Sequence, residues 1–307
     1  MCCAASDNES LVSVLRWYVR TGRPLLHAPT LQVCVEEFLW SKQEANLRQC
    51  TIECYRSRLV RFAERYADWL PVSLTSDEVV TFLGQHIHPT TRLGWIHTLS
   101  AFFEWCVRQH YALANPLAGI ARPRSVGHRA GIFEPDEARE ILRQVRSTRQ
   151  LGFWVMSLFG GMRTVEIQRL AGNPAPWQQV RLSDGVIEIP EDQSKTARRT
   201  MEIRPQLRAW LEVMRDEGVP FYPTGARTAE IGRVRRHVLR RSRGDNPPAA
   251  EFNMGRRSFI SYSLRLSGAS YAAVAAIAGN SEKMIRKFYR RPVSAKAASD
   301  YFQIWPE

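Results

Sequence analysis

Between residues 31 and 115 apolar side chains return every three or four positions, without the two-residue alternation that a half-buried sheet demands. Ile52, Tyr55, Leu59, Phe62 and Tyr66 draw one stripe along a helix of about five turns. Leu93, Ile96, Leu99, Phe103 and Cys106 draw a second. A capping-box pattern from Thr75 to Glu78 opens a third helix toward Ile87, and the segment Leu31–Glu44 supplies a fourth. Four such stripes can bury one another only side by side, so this part of the chain is expected to be a small four-helix bundle. The first residues hold one further short helical pattern, Leu11–Tyr18.

Helical patterning then stops. The stretch from Asn115-Pro116 to Arg124, NPLAGIARPR, carries two prolines, and the basic, Gly-containing SVGHRAG follows it. A domain boundary is expected there, with residues 1–28 as an extension, 29–120 as the helical domain, 121–131 as the linker, 132–294 as a second domain and 295–307 as a tail. After the linker Pro135 suits the first position of the helix PDEAREILRQV. An apolar segment, GFWVMSLFGGMRTVEIQRL, comes next. Strand-like runs follow at Gln179–Leu182, GVIEIP after a turn at Asp184-Gly185, and TMEIRP. From Leu207 onward the pattern is helical again. The expected fold class is therefore mainly α (α+β), with a small three-stranded antiparallel sheet inside the second domain.

The charge balance narrows the function. The 307 residues carry 43 Lys or Arg against 30 Asp or Glu, a formal charge of +13. Nearly all of that excess lies between Arg227 and Lys296, where sixteen bases face four acids. Its densest part, GRVRRHVLRRSRG at 232–244, contains no acid to form i,i+4 pairs, so a phosphate-facing surface is expected rather than a salt-bridged helix face. Arg233, Arg235, Arg236, Arg240, Arg257 and Lys287 are the expected contacts to a polyanionic partner, with nucleic acid the leading candidate, double-stranded DNA above all once the motifs below are read. No run of 18 uncharged apolar residues exists, so no membrane span is expected. The N-terminal MCCAASDNESL lacks the basic and apolar regions of a signal peptide. The six cysteines show no CxxC pairing and no zinc-finger spacing, so buried thiols in a reducing, cytoplasmic setting are expected, with no metal and no cofactor.

Four separated motifs carry the chemistry. They are GMRTVEI at 161–167, Ser194-Lys195-Thr196 in the turn between two expected strands, NMGRRSF at 253–259, and Gly279-Asn280-Ser281 with Tyr289 ten residues after the glycine. In order and spacing they resemble the tyrosine recombinase (phage integrase) family over roughly residues 30–295. That family carries an arginine in G-[LM]-R-x-x-E-[IL], a hairpin lysine, an H-x-x-R motif, a G-[HW]-x segment and a tyrosine about ten residues further on. The resemblance implies a core-binding (SAM-like) domain for the helical bundle and a catalytic domain after the linker. Together these would form a C-shaped clamp around duplex DNA. It also implies self-association into a dimer or tetramer, with strand exchange through a Holliday junction.

The residue chemistry fits what the resemblance implies. Cleaving a phosphodiester requires charge stabilisation on the non-bridging oxygens, and the guanidinium forks of Arg163 and Arg256 supply it with fixed geometry. An arginine inside an apolar helix, as Arg163 is expected to be, needs an anionic partner, and Glu166 three residues on is the candidate. Only five lysines occur in the chain, and Lys195 is the only one between residues 43 and 282. A general acid for the departing 5′ oxygen can be lysine but hardly arginine, which singles out Lys195. Tyr289 would attack phosphorus and hold the 3′ end as a phosphotyrosyl ester, so no metal or nucleotide is required. Its rivals are Tyr262, Tyr271 and Tyr301.

Two positions depart from the family pattern. Asn253 stands at the H-x-x-R histidine and Asn280 at the later His/Trp position, and residues 238–307 contain no histidine. Asn280 can still donate to a phosphate oxygen, whereas Asn253 cannot transfer a proton. Loss of proton transfer typically costs about 10²–10⁴ in rate. The leading expectation is an active site-specific recombinase. The alternatives are a catalytically impaired DNA-binding protein of the same fold and a type IB topoisomerase-like enzyme. The tail SAKAASDYFQIW, with its apolar end, is expected to pack against a neighbouring protomer.

Overall fold

The structure, a computed structural model, describes residues 28–85, 88–123, 131–190, 198–223, 228–244, 253–266 and 270–307. Among these residues there are fourteen helices and one three-stranded sheet. The chain divides into two compact units, Met1–Val126 and Gly127–Glu307. The helical pattern at Leu11–Tyr18 lies outside the described residues.

The first unit is built from α1 (Leu31–Glu44), α2 (Gln49–Tyr66), α3 (Ser76–Gly84) and α4 (Pro89–Arg108). The stripes read from the sequence are the buried ones: Leu59 and Phe62 of α2 and Leu99, Phe103 and Cys106 of α4 are all solvent-inaccessible. Phe62 meets Phe82 and Phe103 edge-on at 4.9 and 6.2 Å. Each such buried ring or leucine contributes about 1.5–3 kcal/mol. Thr75 accepts from the Glu78 backbone N–H while the Glu78 carboxylate accepts from that of Thr75, so the capping box forms, although α3 stops at Gly84. Cys34 and Cys106 are buried, but Cys50 and Cys54 are exposed, contrary to the expectation of buried thiols. They share the outer face of α2, on which a one-turn spacing confers no burial.

The second unit contains α5 (Pro135–Val145), α6 (Leu151–Leu158), α7 (Thr164–Gly172), the one-turn α8 (Pro176–Gln179), β1 (Val180–Arg181), β2 (Val186–Ile189) and β3 (Arg199–Glu202). After these come α9 (Pro205–Asp216), α10 (Thr228–Arg243), α11 (Met254–Leu266), α12 (Tyr271–Ala278), the short α13 (Glu282–Met284) and α14 (Ala295–Phe302). The sheet is antiparallel in the order β1-β2-β3, with Val180 opposite Ile187 and Ile187 opposite Met201. These side chains alternate inward along their strands and join the core of the second unit. Every residue of α6 is buried, which is why its sequence is apolar all round.

The tail lies on its own subunit. The carbonyl of Ile304 accepts from Trp210 Nε1 at 2.9 Å and Gln206 Nε2 at 3.2 Å, and the buried Tyr301 hydroxyl donates to the Leu158 carbonyl at 2.6 Å. The tail helix packs on α11 and α5 of the same chain, which removes apolar area from water. Among the described residues no helix is long and apolar enough to cross a membrane.

Candidate active site

The site begins where α6 ends. Gly161 turns the chain at φ +59°, a conformation that favours glycine, and a Cβ there would collide with the Phe259 ring. Arg163 consequently lies not inside an apolar helix, as expected, but at the N-cap of α7 with extended backbone. Its guanidinium is free to reach sideways. Nη1 donates to Glu166 Oε1 at 2.7 Å, and Nη2 donates to the Gly279 carbonyl at 2.5 Å and Asn280 Oδ1 at 2.6 Å. The backbone N–H of Arg163 donates to Glu166 Oε2 at 2.9 Å. Residues more than a hundred positions apart in sequence are thus joined through one side chain.

Arg256, near the start of α11, is completely buried. Nη1 donates to the Gly161 carbonyl at 2.5 Å and Nη2 to the Ala278 carbonyl. Its guanidinium carbon lies 5.7 Å from the centre of the Tyr289 ring. Burial, and after it the neighbouring Arg163 charge, lowers the Arg256 pKa to about 10, which leaves it protonated near neutral pH. Its Nε is buried without a partner, and so is Asn280 Nδ2. Two donors beside Arg163 are therefore left for an acceptor.

Arg199 is the residue that sequence reasoning missed. At the first position of β3 it grips the Glu166 carboxylate bidentately, Nη1 to Oε1 at 2.9 Å and Nη2 to Oε2 at 2.8 Å. Burial alone would raise the Glu166 pKa, but the Arg199 hydrogen bonds and charge, assisted by Arg163, bring it down to about 2. Three guanidiniums and one carboxylate thus share this region. That surplus of positive charge in a desolvated setting favours a bound anion. Arg199 was hidden among neighbouring arginines; its one sequence signal is the inward register of a strand start.

Tyr289 ends a π-helical turn, Ile285–Tyr289, in which the Arg290 N–H donates to the Ile285 carbonyl at 3.0 Å. Ser261 Oγ donates to the Tyr289 carbonyl at 3.0 Å and fixes the backbone. The rival tyrosines are otherwise engaged. Tyr262 and Tyr301 are buried, stacked on each other at 4.3 Å, and donate their hydroxyls to the carbonyls of Phe133 and Leu158. The Tyr271 ring is covered by the Arg286 guanidinium at 3.6 Å. Asn253 sits one residue before α11, where its carbonyl accepts from the Arg257 N–H at 3.0 Å. Lys195 lies outside the described residues.

The basic helix α10 is two-sided. Arg233, Arg236 and Arg240 are exposed, as is Lys287 after α13, while Arg257 is half-buried. Arg235 was expected on the DNA-facing surface but is only 8% exposed. It falls on the stripe Ile231, Arg235, Val238 and Leu239, whose helical spacing turns it toward the core, a signal present in the sequence. Arg243 is structural as well: it pairs with the buried Glu137 of α5 through Nε at 2.6 Å and Nη2 at 2.5 Å. No group of His, Cys, Asp and Glu among the described residues could hold a metal ion.

This arrangement of helices around a three-stranded sheet is the fold of solved integrase structures. Among solved structures, the chain is similar to a lambda integrase dimer bound to a COC′ core site, with 16% identity, 95% of this chain and 83% of that chain covered, and a TM-score of 0.64. It is similar to the Tn1549 transposon integrase in complex with transposon right end DNA at 15% identity, 88% and 98% coverage and a TM-score of 0.65. It is similar also to a lambda integrase tetramer bound to a Holliday junction at 14% identity, 93% and 81% coverage and a TM-score of 0.64. No protein-family model matches the sequence, and no curated protein does. The likeness is one of fold.

Proposed function

We propose that the chain is a site-specific DNA recombinase that cuts and rejoins duplex DNA through a 3′-phosphotyrosyl intermediate. The observation that carries this reading is the convergence of Arg163, Arg256 and Asn280, with the Tyr289 ring 5.7 Å from the Arg256 guanidinium carbon, while the hydroxyls of the rivals Tyr262 and Tyr301 are spent on buried carbonyls. The two arginines hold the non-bridging oxygens, and the unpartnered Asn280 Nδ2 and Arg256 Nε supply further donors. Tyr289 Oη attacks phosphorus, the P–O5′ bond breaks, and the departing 5′ oxygen takes a proton from Lys195. The ester retains the bond energy, so a 5′ hydroxyl can reverse the step on the same or another strand. The exposed bases of α10 contact phosphates along the duplex.

Asn253 occupies the position where proton transfer by histidine is absent, which favours slow chemistry over none. The domain assignment given above and self-association of two or four protomers on DNA belong to the same reading. The integrase structures of like fold include a dimer and a tetramer on DNA. A nicked suicide duplex that loses its 5′ fragment on cleavage tests the proposal. The wild-type chain is expected to accumulate a covalent DNA adduct and Tyr289→Phe to form none while still binding DNA. Absence of a wild-type adduct supports instead the impaired DNA-binding reading. Relaxation of supercoiled DNA without recombinant product supports the topoisomerase-like one.

A further inference from the structure

Glu166 is held from two sides by arginines that arrive on different elements. Arg163 caps the helix to which Glu166 belongs, and Arg199 comes from the far edge of the sheet, 33 residues along the chain. We propose that Arg199 is a positioning residue for strand cleavage, locking the Glu166 carboxylate and the turn after α12 so that Arg163 and Asn280 face the scissile phosphate. This inference rests on the recombinase reading above.

Three observations support it. The Arg199 side chain is only 8% exposed, so it acts on its neighbours and not on DNA. Both of its terminal nitrogens are committed to the two oxygens of Glu166, a fork–fork geometry that fixes the plane of the carboxylate as well as its place. Its Nε donates to the Ile277 carbonyl at 3.2 Å, and its guanidinium lies against Gly279, where a Cβ would come 2.6 Å from Nη1. The turn that delivers the Gly279 carbonyl and Asn280 Oδ1 to Arg163 is therefore shaped around Arg199.

The charge environment makes the role readable. Among the described residues, the charged groups facing Glu166 are Arg163 at the α7 cap, Arg199 on β3 and Arg256 on α11. Removing Arg199 leaves a buried carboxylate with one close partner, and burial then favours its protonated form. A protonated Glu166 no longer holds Arg163 in place at mildly acidic pH.

The test uses the full chain with Arg199→Met and Arg199→Lys. Adduct formation on the nicked duplex is measured at saturating protein from pH 5.5 to 8, alongside DNA affinity by mobility shift and the Glu166 carboxyl titration by carbon-13 NMR. Arg199→Met is expected to bind DNA within about twofold of wild type and to cleave about 100-fold more slowly, the size expected of a misaimed group. The loss should deepen toward pH 5.5, and the Glu166 titration should move upward. Arg199→Lys should recover part of the rate, since an ammonium keeps the charge but not the fork. Should the methionine variant fail to fold, the lysine variant decides: a pH-dependent deficit supports the proposal, and a wild-type rate at every pH overturns it. An unchanged Glu166 titration, or equal losses of affinity and rate without pH dependence, also overturns it. No adduct from wild type, with Glu166 still responding to Arg199, overturns the recombinase reading while supporting the coupling.

Discussion

Arg256 lies buried beside the ring of Tyr289, its guanidinium carbon 5.7 Å from the ring centre, while its terminal nitrogens hold the carbonyls of Gly161 and Ala278. One side chain thereby ties together the turn before α7, the end of α12 and the proposed nucleophile. Structure and chemistry converge on the same cation.

Replacement of Arg256 should consequently be felt in both. Arg256→Ala strands two buried carbonyls, each costing about 1–3 kcal/mol. Arg256→Lys keeps the charge yet cannot span both acceptors, and it should reduce cleavage by about 10²–10³. Calorimetric melting and adduct yield measured on both variants check the pair of effects. Wild-type cleavage in the lysine variant would remove Arg256 from the proposed clamp.

Acid should destabilise the second unit through Glu166 and Glu137. Both have folded pKa values below the ordinary 4.5, Glu166 at about 2, although burial alone would raise each. A depressed carboxylate contributes stability that is present above its unfolded pKa and lost as pH falls through the folded value. For Glu166 that contribution is about 3 kcal/mol above pH 4.5, disappearing between 4.5 and about 2. Denaturant midpoints across this interval should fall in wild type. They should fall less steeply in Glu166→Gln, which starts lower.

Gly279 and Gly185 should respond differently to the same methyl group. Both have positive φ, +61° and +69°. At Gly279 an added Cβ meets the Arg199 guanidinium, whereas at Gly185 the nearest atom is the end of Arg208 at 3.4 Å. Gly185→Ala is expected to cost about 1 kcal/mol and leave cleavage intact. Gly279→Ala should reduce cleavage at least tenfold by displacing Asn280 and the Gly279 carbonyl from Arg163. Adduct rates normalised to folded protein distinguish the two.

Neutralising Arg233, Arg236 and Arg240 together should weaken DNA binding and reduce the slope of log affinity against log salt by about 0.9 for each phosphate that is no longer neutralised. Arg235→Met, by contrast, should leave that slope unchanged and alter the melting temperature, because Arg235 faces the core. Mobility-shift titrations at several salt concentrations, with a thermal melt of each variant, give both answers.

Much of this was legible in the sequence. The stripes of α2 and α4, the capping box at Thr75, proline at the start of α5 and the three short strands all express local rules, in which side chains a few positions apart meet regardless of the rest of the chain. Arg163, Arg256, Asn280 and Tyr289 were also singled out by motif order, and the fold brings them together. Arg235 was misassigned because the basic composition of α10 drew attention away from its helical phase. The apolar end of the tail says that it must be covered, and the structure shows that much of it is covered within the same chain.

The sequence by itself determined the helices, the sheet and which residues were candidates for phosphate chemistry, since periodicity, caps and side-chain type act over a turn or a strand pair. Only the tertiary structure decided that Arg199 holds Glu166, that Arg256 reaches both Gly161 and Ala278, and that Tyr262 and Tyr301 are spent on buried carbonyls. These contacts join residues from 22 to 143 positions apart. Which distant groups meet depends on how the helices stack to bury their apolar faces, and a one-dimensional pattern does not carry that packing.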